Sequence, residues 1–212
     1  MKKEIRDIRH EYGEAGLKRS DISKDPFIQF KNWFENAVAL KLPDANAMTL
    51  ATVSAEGKPS ARILLLKDFN EKGFCFFTNY KSRKGSDIEA NPNGAMVFFW
   101  PELERQIRIE GKIEKLEPEL SDEYFFERPL GSRMAASVSP QSDEIDNREV
   151  LNKMITAFQS ENDENFPRPN FWGGYRLIPE LFEFWQGRKN RLNDRFEYNL
   201  EKKDWNLRRL AP

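Results

Sequence analysis

The segment Thr78-Asn79-Tyr80-Lys81-Ser82-Arg83-Lys84 puts two cations where a helix is expected to begin. A helix N-terminus carries partial positive charge, so Arg83 and Lys84 are locally unfavourable there, by ~0.3–1 kcal/mol each. An anion resolves the conflict, because exposed backbone N–H groups beside an arginine and a lysine make a phosphate pocket. Two solvated cations screened by salt are the alternative at this point. Arg62 and Lys67 bracket the apolar run Ile63-Leu64-Leu65-Leu66, which reads as a strand buried on both faces. A buried cation without compensation is costly, so each needs an anion or an open strand end. Their parity differs, and a regular strand points them to opposite faces. Serving one ligand together requires a bulge, a strand terminus or a site completed by a second subunit.

Two further groups carry weaker signals. Tyr124, Arg128 and Ser132 are four residues apart, the spacing that aligns side chains along a helix towards one anion. Pro129 intervenes, which moves Ser132 beyond the helix or onto a fresh turn. The stretch from Phe184 to Phe196 sets Trp185 near Arg188, Arg191 and Arg195. An indole stacks on a flat ring while guanidinium groups meet anionic oxygens. A core tryptophan with surface arginines accounts for the same residues. So does a single-stranded nucleic-acid binder, although Asp194, Glu197, Glu201 and Asp204 dilute the positive field. Gln141 and Ser142 are neutral hydrogen-bonding residues in a loop and carry no signal alone.

Composition limits the chemistry. The chain of 212 residues suits one domain or two small ones. Its 34 basic and 35 acidic residues leave a net charge of −1, which argues against bulk-charge binding of nucleic acid or an anionic membrane. Seventeen Phe, 5 Trp and 5 Tyr can build a sizeable core. One cysteine, Cys75, excludes an intrachain disulfide and CxxC chemistry, and one histidine, His10, excludes multi-histidine metal sites. No metal is expected. If the chain is an enzyme, a borrowed cofactor or a carboxylate must supply the reactivity. No apolar run approaches the ~20 residues of a membrane span, and the start lacks a signal-peptide apolar region. A cytoplasmic protein is expected.

These residues need elements to position them. Residues 1–25 read as a polar arm, with helical tendency around Glu4 to Tyr12. Asp25-Pro26 is a helix start, and Phe27, Phe30, Trp33, Phe34, Ala37 and Val38 continue it to about Lys41 at helical spacing. Strands follow at Ala47 to Val53, Ser60 to Phe69 and Gly73 to Thr78. Ser82 to Ala90 reads as a helix with Ser86 and Glu89 at capping-box spacing, stopped by Asn91-Pro92. Strands resume at Ala95 to Trp100 and Gln106 to Ile113, the latter with Ile107, Ile109 and Ile113 inward. Helices are expected at Pro118 to Phe126 and Asn147 to Ser160, then three strand-like pieces around Tyr175, Phe182 and Trp205. The expected fold is a small barrel of α+β character, mainly β with inserted helices.

Taken together, the ordered pieces resemble the pyridoxine/pyridoxamine 5′-phosphate oxidase family. The resemblance runs from about Arg9 to Pro212. It rests on Arg9-His10-Glu11-Tyr12, Arg62 to Lys67, Thr78-Asn79, Ser82-Arg83-Lys84 and Leu103-Glu104-Arg105-Gln106. It continues through Tyr124, Arg128-Pro129, Gln141-Ser142, Phe171-Trp172-Gly173-Gly174, Phe184-Trp185-Gln186-Gly187 and Leu210-Ala211-Pro212. The resemblance implies a split β-barrel, a homodimer with FMN at its interface, residues 1–25 as arm or lid, and residues 26–212 as one oxidase domain. It implies FMN contacts from Arg62, Ile63, Leu64, Leu65, Leu66, Lys67, Phe77, Thr78, Arg83, Lys84, Gln106, Gln141, Ser142, Trp185 and Arg195. Arg83 and Lys84 then belong with the cofactor phosphate. Lys67, Tyr124, Arg128 and Ser132 clamp the substrate phosphate. Arg191, Leu192 and Asn193 flank the reacting carbon, Arg9 and Tyr12 close over it, and Asp44 matches a position associated with the active site.

The implied reaction oxidises pyridoxine 5′-phosphate or pyridoxamine 5′-phosphate at C4′, by hydride transfer to flavin N5. Dioxygen reoxidises the flavin to give hydrogen peroxide, and the amine also releases ammonia. The flavin performs the redox chemistry while the protein orients two rings and neutralises two phosphates. Family members commonly carry Arg-Leu-His-Asp-Arg where this chain has Arg191-Leu192-Asn193-Asp194-Arg195. An amide cannot take a proton at neutral pH, so Asn193 is expected to orient substrate rather than act as a base. Phe77 stands where a tyrosine is usual. The rival expectations are a flavin reductase-like split-barrel protein and a non-catalytic flavin or pyridoxal-phosphate binder.

Overall fold

The computed structural model describes residues 11–212. Among them are five α-helices and nine strands: α1 (Pro26–Ala39), β1 (Ala47–Val53), β2 (Pro59–Leu65), β3 (Asp68–Asn70), β4 (Gly73–Asn79), α2 (Arg83–Ala90), β5 (Asn93–Trp100), β6 (Arg105–Lys115), α3 (Pro118–Glu127), α4 (Leu130–Val138), α5 (Arg148–Glu161), β7 (Trp172–Gln186), β8 (Asp194–Glu201) and β9 (Asp204–Leu210). The strands join in the order β2-β1-β5-β6-β7-β4-β3, with β8 on β7 and β9 on β8. No helix among the described residues is long and apolar enough to cross a membrane.

The chain divides into two compact units. One comprises the described residues up to Thr49, Ala95–Glu110 and Pro179–Pro212; the other comprises Leu50–Gly94 and Gly111–Ile178. In the first, Asp25 caps α1 by accepting the Phe27 and Ile28 N–H groups, and Pro26 occupies the first turn. The apolar face of α1 is buried at Phe30, Trp33 and Ala37. Phe30 meets Phe98 edge-on at 5.2 Å, and Trp33 meets Phe184 at 5.3 Å. The arm from Glu11 to Lys24 docks on the same unit: Leu17 and Ile22 are buried, and the Leu17 N–H donates to Asp194 at 2.9 Å.

In the second unit, β4 runs antiparallel to β7, with Phe77 opposite Gly174 and Thr78 opposite Gly173. The glycine pair is required by close approach. A Cβ on Gly173 would lie 2.1 Å from the Tyr80 hydroxyl, and one on Gly174 would lie 2.8 Å from the Phe77 ring. Phe77, Tyr124 and Trp172 consequently stack, with Phe77 and Tyr124 centroids 4.0 Å apart.

Several expectations are corrected. The run from Ser60 to Phe69 is two strands, because β2 ends at Leu65 and β3 begins at Asp68. It is not buried on both faces: β2 is an edge strand, and Ile63 and Leu65 are 64% and 40% exposed. The cap of α2 is Ser82, which accepts from Gly85 N–H; Ser86 already donates its own N–H to Ser82 O as a helix-interior residue. Tyr175 and Phe182 share one 15-residue strand, β7, rather than two pieces. Pro179 is tolerated because it falls between Trp172–Leu177, which pair with β4, and Leu181–Gln186, which pair with β8. The helix α4 and the strand β8 were not expected. The helical tendency around Glu4 to Tyr12 falls largely outside the described residues.

Candidate functional site

The end of β4 leads through a tight turn into α2, and this junction is built around Lys84. Its ammonium is buried and donates to Thr78 Oγ1 at 3.1 Å, Ser82 Oγ at 2.9 Å and Gln141 Oε1 at 2.9 Å. All three acceptors are neutral, and among the described residues no carboxylate pairs with it. Burial, and then the nearby charge of Arg62, pull its pKa down from 10.5 to about 8. The loop carrying Gln141 and Ser142 is tied to the same point: Thr78 Oγ1 also donates to Gln141 Oε1 at 3.0 Å, and the Arg83 N–H donates to Ser142 Oγ at 3.2 Å. Ser142 adopts a left-handed φ of 81°. Thr78, Arg83, Lys84, Gln141 and Ser142, scattered over 65 positions of sequence, thus form one cluster.

Arg62 lies alongside. Its guanidinium donates to Leu50 O at 3.1 Å, Thr52 Oγ1 at 2.8 Å and Ser60 Oγ at 2.8 Å, and it lies 3.8 Å from Asp87 of α2. Asp87 and Thr52, which hold it, carried no recognisable signal in the sequence. Lys67 follows the end of β2, so the parity conflict is resolved by a strand terminus. Its N–H donates to Cys75 O at 2.9 Å, and its ammonium lies 5.8 Å from the centroid of the Tyr124 ring.

A cavity of about 490 Å³ opens here, lined by Ile63, Leu64, Leu65, Lys67, Phe77, Thr78, Tyr124, Arg128, Pro129, Ser132, Gln141 and Trp172. Ten of these twelve are residues the sequence pointed to; Trp172 was noted only as part of a motif. The β2 residues, Phe77-Thr78 and the Tyr124, Arg128, Ser132 trio therefore face one space. Pro129 ends α3, and Ser132 sits in the first turn of the fresh helix α4. Arg128 lies between the two helices with its guanidinium 4.6 Å from the Trp172 ring centroid. Its Nη1 is buried and has no hydrogen-bond partner. Burial also lowers its pKa. A buried, unsatisfied guanidinium nitrogen at a cavity costs free energy unless an anion accepts a hydrogen bond from it.

Leu66 is buried in the second unit and does not line the cavity; the other remaining predicted residues that the structure describes belong to the first unit. Tyr12 meets Trp185 edge-to-face at 5.5 Å, and Arg191 lies 5.0 Å from the Tyr12 ring. The loop 188–193 contains two consecutive left-handed residues, Asn190 at φ 58° and Arg191 at φ 62°. Asparagine tolerates this conformation, whereas an arginine adopts it uncommonly. Here the Asn190 N–H donates to Glu11 at 3.1 Å, and Lys189 pairs with Glu14 at 2.6 Å. Asn193 closes the loop by accepting the Arg188 N–H at 3.0 Å. Leu192 is exposed, and Gln106 is half-buried on β6. Arg195 pairs with Glu183 at 2.7 Å. Asp44 stands in the turn before β1 at φ 48°, its carbonyl accepting the Ala47 N–H, and joins neither group. Arg9 lies outside the described residues.

Comparison with known proteins accords with this geometry. Residues 34–161 match the family described as pyridoxamine 5′-phosphate oxidase, and residues 172–212 match the pyridoxine 5′-phosphate oxidase C-terminal dimerisation region. The chain is 52% identical over 210 residues to the pyridoxine/pyridoxamine 5′-phosphate oxidase of Cupriavidus pinatubonensis, covering 99% of each chain. It is 51% identical over 214 residues to that of a Nostoc species, covering 100% of each. Among solved structures, PhzG from Burkholderia lata in complex with tetrahydrophenazine-1-carboxylic acid aligns at TM-score 0.88 and 29% identity, over 94% of this chain and 99% of that one. A pyridoxamine 5′-phosphate oxidase-related, FMN-binding protein from Nostoc punctiforme aligns at TM-score 0.72 and 20% identity, over 90% and 100%. The fold is that of the FMN-binding split-barrel proteins.

Proposed function

Because the chain belongs to the pyridoxine/pyridoxamine 5′-phosphate oxidase family, whose cofactor is FMN, we propose that it oxidises pyridoxine 5′-phosphate or pyridoxamine 5′-phosphate with dioxygen. The observation that carries this reading is the unpartnered Arg128 Nη1 at the rim of a cavity that also holds Lys67, Tyr124 and Ser132. Two cations and two hydroxyls converge there, a donor set suited to a phosphate, which carries about −1.5 to −2 charge at neutral pH.

The residues present also fit the cofactor. Lys84 is a buried cation whose partners are all neutral, at a helix start flanked by Arg83, which is the donor chemistry a flavin phosphate completes. Lys84 and Arg83 would hold that phosphate, with Thr78, Gln141 and Ser142 fixing the turn around it. When bound, FMN supplies two-electron redox chemistry and passes the electrons to dioxygen. The alcohol and O₂ give the aldehyde and H₂O₂; the amine, O₂ and water give the aldehyde, ammonia and H₂O₂. The chain's own contribution is positioning. Arg128 and Lys67 neutralise the substrate phosphate, Tyr124 and Ser132 orient it, and the stacked Phe77 and Trp172 keep the Tyr124 ring in place. Holding two reactants in register can lower a barrier by ~7–11 kcal/mol, which matches a site that needs neither the single His nor the Cys. A homodimer would cover the exposed Ile63 and Leu65 of the edge strand.

The same reading keeps Asn193 as an orienting residue rather than a base, and its side-chain oxygen, by accepting the Arg188 N–H, fixes the loop that carries it. Asn193→His should therefore change kcat less than about tenfold between pH 6 and 9. A rise approaching the ~10²-fold or more of general-base catalysis would overturn that assignment.

A carboxylated ring, such as PhzG holds in its complex, is the competing substrate class. A carboxylate has fewer acceptor oxygens than a phosphate and would leave part of the four-residue donor set unused. Anaerobic addition of pyridoxine 5′-phosphate to the yellow holoprotein should bleach its visible spectrum, and admitting oxygen should restore it with one peroxide per aldehyde. Bleaching by tetrahydrophenazine-1-carboxylic acid but not by either B6 phosphate would overturn the proposal.

A further inference from the structure

Glu183 lies near the C-terminal end of β7 with its side chain only 5% exposed. In the β7–β8 register it stands directly opposite Glu197, whose side chain is 7% exposed. Two buried carboxylates facing each other across a sheet repel, and three arginines compensate them. Arg108, from β6, reaches Glu183 Oε2 at 2.7 Å and lies 3.8 Å from Glu197. Arg208, from β9, takes Glu197 Oε1 at 2.6 Å. Arg195 takes the other oxygen of Glu183 through Nε at 2.7 Å.

The consequence lies in how Arg195 is held. Its Nε is bound to Glu183 and its Nη1 donates to Ala211 O at 2.9 Å. Two bonds on different nitrogens fix the plane of a guanidinium, a group whose donors form a rigid fork. Nη2 has no protein partner among the described residues, and the side chain is 29% exposed. Trp185 is the residue paired with Arg195 across the β7–β8 ladder. The buried acid therefore presents one edge of the arginine in a set direction beside the indole.

We propose that Glu183 is a positioning residue of the cofactor site, acting through Arg195. This rests on the reading of Arg195 as an FMN contact. Glu183 touches no ligand itself; it sets the orientation in which Arg195 meets the flavin.

The test uses the full-length protein stripped of flavin and titrated with FMN, following quenching of flavin fluorescence. Glu183→Gln keeps size and one acceptor but loses the charge that holds both arginines. It should weaken FMN binding about tenfold or more, the usual cost of losing the group that orients a ligating side chain. Arg195→Ala should weaken it at least as much. In the double variant the two effects should not add, because Glu183 has nothing left to orient. Independent, additive losses would mark a general structural role and overturn the inference, as would wild-type FMN affinity in Glu183→Gln. Wild-type affinity in Arg195→Ala would instead refute the role of Arg195 and the inference with it. Should Glu183→Gln fail to fold, Glu183→Asp, which keeps the charge but shortens the reach, serves the same cycle with Arg195→Ala.

Discussion

Arg128→Met should raise the KM for pyridoxine 5′-phosphate by about a hundredfold while FMN stays bound. Removing one partner of a desolvated charge pair costs ~2–5 kcal/mol, and a hundredfold corresponds to about 2.7 kcal/mol within that range. The effect should fall on substrate because Arg128 shares its cavity with Lys67, Tyr124 and Ser132, whereas the cluster around Lys84 is tied together by other residues. Methionine is the informative replacement. It preserves most of the packing against Trp172, which the guanidinium now covers at 4.6 Å, and removes the nitrogen that lacks a partner. Thermal stability should accordingly stay level or rise, since a buried unsatisfied donor has gone. Steady-state kinetics with the holoenzyme separate the outcomes. An unchanged KM would mean that the substrate's anion is held elsewhere, whereas a loss of flavin colour would mean that Arg128 serves the cofactor.

Lys84→Met should weaken FMN binding by about a hundredfold or more, again within the ~2–5 kcal/mol of a buried charged partner. The flavin-free protein should lose no stability. In it, the lysine is a buried cation donating only to neutral oxygens, and its desolvation is not offset by a countercharge. The partners keep other bonds: Thr78 Oγ1 still donates to Gln141, and Ser82 Oγ still donates to Asn79 O at 2.6 Å. A variant that binds flavin poorly yet melts no lower than wild type would separate binding from folding. A pH profile adds a second signature. With its pKa pulled down to about 8 by burial and by Arg62, the empty site holds a charged Lys84 below that pH and a neutral one above it. Phosphate binding needs the charged form, so wild-type FMN affinity should be level between about pH 7, above the second phosphate pKa of ~6, and pH ~8. It should fall about tenfold per unit above it, where an ordinary lysine would stay charged to ~10.4. In Lys84→Met that dependence should disappear. Persistence of the same slope in the variant would assign the titration to another group.

Much of the site could be read from residue order because the chemistry left local contradictions. Arg83 and Lys84 at a helix start conflict with the helix dipole, and the structure puts that start at Arg83 with a serine cap. Arg62 and Lys67 conflict with an apolar run, and both find strand-end or buried hydrogen-bonded positions. Residues that stabilise others without contradiction left no trace. Asp87, Thr52 and Glu183 are ordinary polar residues in the chain, and only the packing of β1 with α2, or of β7 with β8, turns them into the groups that hold Arg62 and Arg195.

Amphipathic period and turn chemistry are properties of neighbouring residues, so α1, β1, β4 and the start of α2 were legible from the chain alone. The near absence of His and Cys also narrowed the chemistry to a borrowed cofactor or a carboxylate, and only the family resemblance made that cofactor a flavin. Strand partnership is not local. The exposure of Ile63 and Leu65 follows from β2 having a neighbour on one side only, and β7 runs through Pro179 because its pairing changes from β4 to β8 around that residue. The convergence of Thr78 and Gln141 on the Lys84 ammonium likewise depends on where the chain returns in space, which no window of sequence encodes.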